Sequence, residues 1–176
     1  MKAAPTGDSG DAVERLQDEQ WHILELLDTY ARYQRNPDHR AVDAARLASL
    51  ISTLLRVHCE LESMLLHAQP SIDTAYRAAL AQVDARRSAV LDALELTEAL
   101  STRYPKHRQA MAALAQRVRA WFQADEHELF ARLRHRRLDL AALDREMAVR
   151  QEALLSAGSA RTLRTGAARP VGSALG

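Results

Sequence analysis

The chain has 176 residues, of which 24 are basic and 23 acidic, and its formal net charge is +1 at pH 7. This is the length of about one domain, and it is enough to enclose a hydrophobic core. The balanced charge creates no strong overall field, so neither nucleic acid nor a membrane surface is expected as a partner. It leaves the oligomeric state open.

The cysteine usage and the hydropathy pattern predict a soluble, cytoplasmic protein. Cys59 is the only cysteine, so an internal disulfide is excluded and a reducing compartment is favoured. No stretch approaches the ~20 consecutive apolar residues that span a bilayer. The N-terminal sequence MKAAPTGDSGD has no apolar segment of the kind found in secretory signals.

The long middle of the chain is predicted to be almost entirely helical. All six glycines lie within residues 7–10 or 158–176, and the sequence between them is rich in alanine, leucine, arginine and glutamate, which are strong helix formers. Three internal prolines divide this sequence where a proline can open a helix, namely Pro37, Pro70 and Pro105. The predicted helices span residues 11–35, 37–68, 71–103, 105–136 and 139–156.

Short connections between long helices predict an all-α, up-down-up-down antiparallel four-helix bundle with a short extra C-terminal helix. Asp11 is expected to open the first helix, with Glu14 three residues later completing a capping box. The expected organisation is a flexible N-terminus at 1–10, the bundle domain at 11–156 and a disordered tail at 157–176. The role of the arginines in that tail is open.

The first helix contains one candidate ligand, His22. It occurs in EQWHILELLDTY, beside Ile23 and one turn before Leu26, at the edge of the apolar stripe of that helix. An inward ligand and a half-exposed histidine both fit this position.

The second helix carries a histidine and a glutamate on its apolar face. In RVHCELESMLLH, His58 and Glu62 are four residues apart and therefore lie on one side of a helix. The apolar residues of that side are Leu47, Ile51, Leu54, Leu61 and Leu65. Burial of either polar group without a partner costs roughly 1–3 kcal/mol. The two residues are therefore expected to pair with each other, to contact a facing helix, or to bind a metal.

The third and fourth helices add an arginine and two acids. Arg87 lies within the apolar stripe of the third helix, which is formed by Tyr76, Leu80, Val83, Val90 and Leu94. In the fourth helix, WFQADEHELF places Asp125 seven residues after Val118 on the apolar stripe, with Glu126 beside it. An inward role for these acids is one interpretation, and a solvated face is the other.

The remaining histidines and the cysteine are not expected to form a site. The histidines that sit among charged residues, and are therefore predicted to be at the surface, are His39, His107, His127 and His135. Cys59 is predicted to be a packed thiol, because nothing beyond its neighbour His58 would activate it.

The order of these residues resembles the hemerythrin-like family of cation-binding proteins, also called the HHE family. The resemblance rests on His22 in QWHILELL, on His58 and Glu62 in HCELESMLL, and on the ending DEHELFARLRHRRLDLAALDREMAVRQEALL. It spans residues 11–155. It implies a helical bundle that holds iron, in which the histidine of the first helix and the pair of the second mainly serve one of two iron ions.

The sequence departs from the family pattern in the third and fourth helices. The third helix has no histidine, and Arg87 lies near the position where one is expected, while Trp121 replaces the histidine of the fourth helix. The resemblance therefore implies one non-heme iron, or another divalent metal, rather than a full di-iron centre. The implied ligands are His22, His58, Glu62, and Asp125 or Glu126. We also expect the Arg87 guanidinium to replace the lost second cation by neutralising Asp125 or Glu62 through a forked hydrogen bond.

Three functions remain open from the sequence. The resemblance implies a cation-binding protein that holds one metal ion or none and binds a small gas, in sensing of oxygen, nitric oxide or iron or in a stress response. The alternative is a metal-free helical bundle that regulates a protein partner, comparable to bacterial anti-sigma regulators. The third is an enzyme that uses a single non-heme iron, for which the sequence names no substrate and contains no phosphate-binding loop or nucleophile triad.

Overall fold

The computed structural model describes residues 10–35, 41–68, 74–102, 104–136 and 138–167, and these residues contain helices and short turns but no β-strand. The all-α prediction is therefore confirmed. The helices are α1 (Ala12–Arg35), α2 (Ala41–His67), α3 (Thr74–Glu98), α4 (Pro105–Ala124), α5 (Ala131–Arg134) and α6 (Leu140–Ala167), and a π-helical segment (Asp125–Phe130) joins α4 to α5.

The starts of three helices follow from their capping residues. Asp11 accepts hydrogen bonds from the backbone N–H groups of Val13 and Glu14, at 2.8 and 2.9 Å, and the Glu14 carboxylate accepts one from the N–H of Asp11. This is the predicted capping box. Pro105 lies in the first turn of α4, as predicted, and Asp139 caps α6 by accepting from the N–H of Ala142. Pro37 and Pro70 lie outside the described residues.

Among the first four helices, each packs against two of the other three. The helix α1 contacts α2 and α4, and α3 contacts α4 and α2, while α6 lies against α1 and α2. This pattern is consistent with the packing expected for a four-helix bundle that carries an additional helix on one side. Within the described residues, no helix is long and apolar enough to cross a membrane.

The hydrophobic core is divided into two clusters. We call the first the upper cluster; it contains Ile23, Leu27, Ile51, Leu55, Val90, Leu94, Leu114, Val118, Trp121 and Phe122. The second, the lower cluster, contains Val13, Leu16, Leu61, Leu65, Tyr76, Val83, Leu129, Phe130, Leu133 and Met147. Both clusters draw side chains from α1, α2 and α3, so each extends across the bundle.

A layer of polar side chains lies at the boundary between the two clusters. Along α1, Gln20 falls between Leu16 of the lower cluster and Ile23 of the upper cluster, and its side chain is buried. The corresponding residues on α2, α3 and the π-helical segment are His58, Arg87 and Asp125. All four helical elements therefore replace an apolar residue by a polar one at the same level. Because apolar packing would be more favourable there, this layer is the first place to look for function.

Two features of the C-terminal third differ from the sequence-based predictions. The helix α6 is 28 residues long and extends to Ala167, whereas the sequence predicted a short helix that ends at residue 156 and a disordered tail from 157. Alanine, leucine and arginine after Gly158 are strong helix formers, and each of the two glycines in α6, Gly158 and Gly166, costs the helix only about 1 kcal/mol. The second difference is the π-helical segment, which interrupts what was predicted to be a regular helix over 105–136.

Candidate metal centre

His58, Glu62 and Asp125 form one buried group at the level of the polar layer. Each side chain is completely buried, and one potential ligand atom from each lies within 4.8 Å of those from the other two. Two atoms that each lie ~2.1 Å from a shared metal ion are at most ~4.2 Å apart. The observed separation is therefore close to that of a coordination sphere, and small side-chain rotations are enough to reach it.

The π-helical segment explains how Asp125 and the residues after it can all face inward. Trp121, Asp125, Leu129 and Leu133 are buried and are spaced four residues apart. In a regular α-helix each step of four residues drifts by about 40° from the starting face, so three steps drift by about 120°. A π turn holds more residues than an α turn and takes up this drift. Such segments are frequent at functional sites, and the repeated spacing of four is a signal that the sequence already contained.

His58 is held by a carboxylate on α1. Its Nδ1 lies 3.0 Å from Oε2 of Glu19, and because an ionised carboxylate can only accept, this contact favours a ring proton on Nδ1. The other ring nitrogen, Nε2, is buried and has no hydrogen-bond partner among the described residues. A histidine whose Nδ1–H donates to a carboxylate presents Nε2 as a lone-pair donor, which is the arrangement of histidine ligands at metal sites.

Asp125 is held from α1 by Gln20. The Gln20 side-chain amide donates to Oδ2 of Asp125 at 3.2 Å, and Oδ1 is buried without a hydrogen bond to any described residue. Burial raises the pKa of Asp125 to about 7, while the adjacent Glu62 carboxyl, the charge of Arg86 and the hydrogen bond from Gln20 act in the opposite direction. The carboxyl group is thus poised to lose a proton near neutral pH when a cation arrives.

Glu62 is the most strongly desolvated acid of the group. Neither of its oxygens makes a hydrogen bond within the described part of the chain, and both are buried. Burial, followed by the negative charge of Asp125, raises its pKa well above the usual range, and the Arg87 guanidinium and the Trp121 indole act against this. A buried, incompletely satisfied carboxylate is costly unless something compensates for it.

Arg87 approaches Glu62 as an ion pair rather than through the forked hydrogen bond expected from the sequence. Its Nη1 lies 3.9 Å from Oε2 of Glu62, and its Nη2 donates to Asp84 at 2.6 Å. Arg87 therefore lies beside Glu62, as expected, but its short hydrogen bond is to Asp84 and not to Glu62. The distance leaves room for Glu62 to turn toward a metal.

Aromatic rings cover the upper side of the group. The His58 ring lies edge-on to the rings of Trp121 and Phe122, with centroid separations of 5.4 and 5.0 Å. These rings exclude water from the imidazole and fix its orientation. Trp121 therefore forms one wall of this buried group.

Two of the residues implied as ligands lie elsewhere. The side chain of His22 is exposed on α1, and that of Glu126 is exposed and accepts a hydrogen bond from Gln17. The polar side chains of α1 that do contact the buried group are Glu19 and Gln20, and neither was proposed from the sequence. The signal for Gln20 was its place in the buried stripe, four residues after Leu16 and three before Ile23.

His107 was predicted to be at the surface and is buried, so that prediction is wrong. It lies in the first turn of α4, where its Nδ1 shares a 3.0 Å hydrogen bond with the hydroxyl of Tyr30, and burial lowers its pKa. Its charged neighbours point outward, because an amphipathic helix exposes some neighbours of every buried residue. His127 and His135 are exposed, as predicted, and His39 lies outside the described residues.

A cavity of about 630 Å³ lies beside His107, between α2, α3, α4 and α6. Its lining includes Met111, Thr97, Cys59 and Leu154. Cys59 is buried, as predicted, and burial followed by the charge of Glu62 raises the pKa of its thiol to about 12. No carboxylate cluster comparable to that around His58 faces His107 within the described residues.

The donor set of the buried group is one imidazole and two carboxylates. Imidazole suits zinc and iron, and carboxylates suit manganese and magnesium, so a divalent first-row ion is the chemistry that this set fits best. Comparison of the chain with protein-family models, with curated proteins and with solved structures found no match. Function must therefore be argued from the residues themselves.

Proposed function

We propose that this chain is a hemerythrin-like cation-binding protein whose site has been reduced to a single divalent metal ion, held by His58 Nε2, Glu62 and Asp125. The observation that carries the proposal is the group of buried ligand atoms without hydrogen bonds, namely His58 Nε2, both oxygens of Glu62 and Oδ1 of Asp125. These atoms make no hydrogen bond to a described residue, although Oε2 of Glu62 lies 3.9 Å from Arg87, and a cation would satisfy them together.

The outer contacts of these ligands support the proposal. His58 is held by Glu19, Asp125 by Gln20, and Glu62 lies beside Arg87, so each ligand has a polar neighbour on another helical element. Partners of this kind orient metal ligands and tune their basicity. A relic without function would not need three separate supports.

The proposal includes the antiparallel up-down-up-down arrangement of the four helices. Along α1, Gln20, Asp28 and Tyr30 contact Asp125, Arg119 and His107 respectively, so the residue numbers rise on α1 as they fall toward the start of α4. Arg56 and Glu62 of α2 lie near Glu98 and Arg87 of α3, which gives the same reversed order. Both sets of contacts, three between α1 and the fourth helix with its π-helical extension and two between α2 and α3, support antiparallel neighbours.

Charge balance favours one divalent ion rather than two. With the ligand carboxylates ionised, Glu19, Glu62 and Asp125 contribute −3 and Arg87 contributes +1, so one divalent ion makes these four side chains and the ion neutral together. Asp84, which also contacts Arg87, is half exposed, and water screens its charge. A second divalent ion would leave two uncompensated positive charges in a buried layer. Arg87 and Trp121 also occupy the helices from which the second ion's histidines would come.

A ferrous ion in such a site would supply affinity for a small gas at its open coordination positions. The function we propose is therefore sensing of oxygen, nitric oxide or iron, or a role in a stress response. The protein residues would bind the ion, shield it from bulk water through Trp121 and Phe122, and keep His58 oriented through Glu19.

Metal analysis tests the proposal directly. The purified protein, stripped with a chelator and reconstituted without oxygen with Fe²⁺, Mn²⁺ or Zn²⁺ in parallel, should retain about one ion per chain after desalting. His58→Ala and Glu62→Ala should retain none. His22→Ala and Glu126→Gln are matched controls, because both side chains are exposed, and they should retain the wild-type amount.

The outcome against the proposal is equally clear. If the wild-type protein retains none of the three ions, or if His22→Ala loses the ion while His58→Ala keeps it, the site is not the one described. The first result would leave a metal-free bundle that binds a protein partner as the remaining interpretation.

A further inference from the structure

The carboxylate that holds His58 is itself held by the last helix. The Gln151 side chain on α6 donates from Nε2 to Oε1 of Glu19 at 2.6 Å, while Oε2 of Glu19 accepts from His58. A glutamine at position 151, far along the sequence from the ligands, therefore lies two hydrogen bonds away from the proposed metal ligand.

A second pair of residues fixes the orientation of Gln151. Its Oε1 accepts from Nη1 of Arg15 at 2.9 Å, and Arg15 forks onto the two oxygens of Asp144, at 2.6 and 3.3 Å. Arginine can only donate and carboxylate can only accept, so the amide of Gln151 has a single orientation that satisfies both neighbours. Each hydrogen bond in the series that leads from Asp144 to His58 therefore has one defined donor and one defined acceptor.

The buried side of α6 holds Asp144 and Gln151 against α1. Asp144, Met147 and Gln151 are spaced by three and four residues and lie on one side of α6. Met147 between them is completely buried in the lower cluster. Arg15 and Asp144 are mostly buried, with side-chain exposures of 26% and 15%, so their ion pair is only weakly screened by water.

We propose that α6 is a working part of the metal site, in which Gln151 positions Glu19 so that Glu19 holds His58 with its proton on Nδ1 and its Nε2 directed at the metal. This inference rests on the proposed function and goes beyond it, because it assigns a role at the site to a helix that supplies no ligand. Glu19 and Gln151 are positioning residues, and they act through His58.

The expected size of the effect follows from other metal sites. Loss of a residue that orients a histidine ligand typically lowers metal affinity by about 10- to 100-fold. Glu19→Ala should fall in this range, and Gln151→Ala should lie toward its lower end because it acts one bond further away. Glu25→Ala on α1 and Glu152→Ala on α6 remove exposed side chains from the same two helices, and they should leave the affinity within twofold of the wild type.

Exchange of the two positioning groups gives the sharpest test. In Glu19→Gln alone, the new amide can turn its NH₂ group toward that of Gln151, so that two donors face each other, or toward His58, so that Nδ1–H loses its acceptor. In Gln151→Glu alone, two carboxylates face each other. The double variant Glu19→Gln/Gln151→Glu restores a complementary order: the new amide oxygen accepts from His58, its nitrogen donates to the new carboxylate, and that carboxylate accepts from Arg15. Each single variant should lose affinity, and the double variant should recover most of the loss, which is a coupling that independent defects would not show.

A spectroscopic measurement separates this inference from the proposed function. Nitrogen NMR of ¹⁵N-histidine in the metal-free protein, assigned with His58→Gln, reports which ring nitrogen of His58 carries the proton. We expect Nδ1–H in the wild type and the double variant, and loss of that preference in Glu19→Ala. If the wild-type protein carries the proton on Nε2, or if Glu19→Ala binds metal as tightly as the wild type, the positioning role is wrong even though a metal is bound. If Nδ1–H is found in a protein that binds no metal, the contact stands and the metal function fails.

Discussion

Two of the histidines that the structure describes are buried, and their surroundings differ in one decisive respect. His58 lies in the polar layer between the two hydrophobic clusters and faces two carboxylates, with a third carboxylate on its Nδ1. His107 lies near the end of the bundle, where Nδ1 meets the neutral hydroxyl of Tyr30. Both rings are almost fully buried, so burial alone does not distinguish a ligand from a packed side chain.

The two histidines differ in whether a buried ring nitrogen lacks a hydrogen-bond partner, as Nε2 of His58 does, and in the charge of the groups around the ring. Around His58 three carboxyl groups lie close together beside the single guanidinium of Arg87, and the raised pKa values of Glu62 and Asp125 mean that these two acids hold protons that a bound cation would displace. Around His107 the described residues form no comparable group of acids, and burial lowers the pKa of the ring, which favours its neutral form. A polar group that needs a cation is a candidate metal site, whereas a satisfied one is part of the packing.

The largest expected difference between the two histidines is in stabilisation by metal. A free metal concentration of 100 times Kd stabilises the folded state by about 2.7 kcal/mol, which corresponds to a rise in Tm of roughly 5–10 °C for a chain of this size. Differential scanning calorimetry should show this rise for the wild type and for His107→Gln, which keeps an acceptor for Tyr30. His58→Gln should show none. Equal rises in all three proteins would remove the distinction drawn between the sites.

Replacement of a buried acid by its amide should separate stability from function. Asp125→Asn keeps an oxygen for the amide of Gln20 and removes a charge that burial opposes. The metal-free variant should therefore be more stable than the wild type at pH 8 by about 1–3 kcal/mol in urea unfolding, while metal retention is lost. Glu126→Gln, the same change at an exposed neighbour, should alter stability by less than about 0.5 kcal/mol.

The two surroundings predict opposite pH dependence for the metal-free protein. The pKa of Asp125 is raised from 3.8 to about 7, so the folded state binds the proton more tightly than the unfolded state, and this group's contribution is lost as pH rises between these values. The pKa of His107 is lowered from 6.5 by burial, so its contribution is lost as pH falls below 6.5. Each group changes the slope by at most about 1.4 kcal/mol per pH unit.

Urea unfolding between pH 5 and 8 checks these signs. The metal-free wild type should lose stability as pH rises through this range, since Glu62, whose pKa is also raised, adds to the effect of Asp125. In Asp125→Asn the fall should be reduced, and the opposite slope from His107 should become visible below pH 6.5. A wild-type protein that becomes more stable from pH 5 to 8 without metal would contradict the assignment of these acids as buried.

The smallest effect is expected at the satisfied histidine. Tyr30→Phe removes the hydroxyl that shares a hydrogen bond with His107 and should cost about 1 kcal/mol of unfolding free energy. Metal affinity, measured by competition with a chelator, should not change. A loss of metal affinity in this variant would show that the Tyr30–His107 contact and the metal site are coupled through the upper cluster.

The inward placement of the second-helix pair could be predicted because His58 and Glu62 interrupt a stripe of leucines at helical spacing. Asp125 could be predicted in the same way from Val118. In α1 the rotational position was harder to predict, because Trp21, Ile23 and Leu24 place apolar groups on several sides of the helix, and Trp21 proves to be 66% exposed. The contacts of Gln151 depend on how α6 docks, which no local pattern encodes.

The single cysteine has a practical consequence for anyone who works with this protein. With the pKa of its thiol near 12 and its side chain buried in α2, Cys59 is almost entirely protonated at neutral pH and is shielded from reagents. Alkylation of a native sample therefore reports the moments at which α2 opens and not the average fold. The rate of Cys59 alkylation therefore measures how often the region around His58, one residue away, opens locally, and no engineered label is needed.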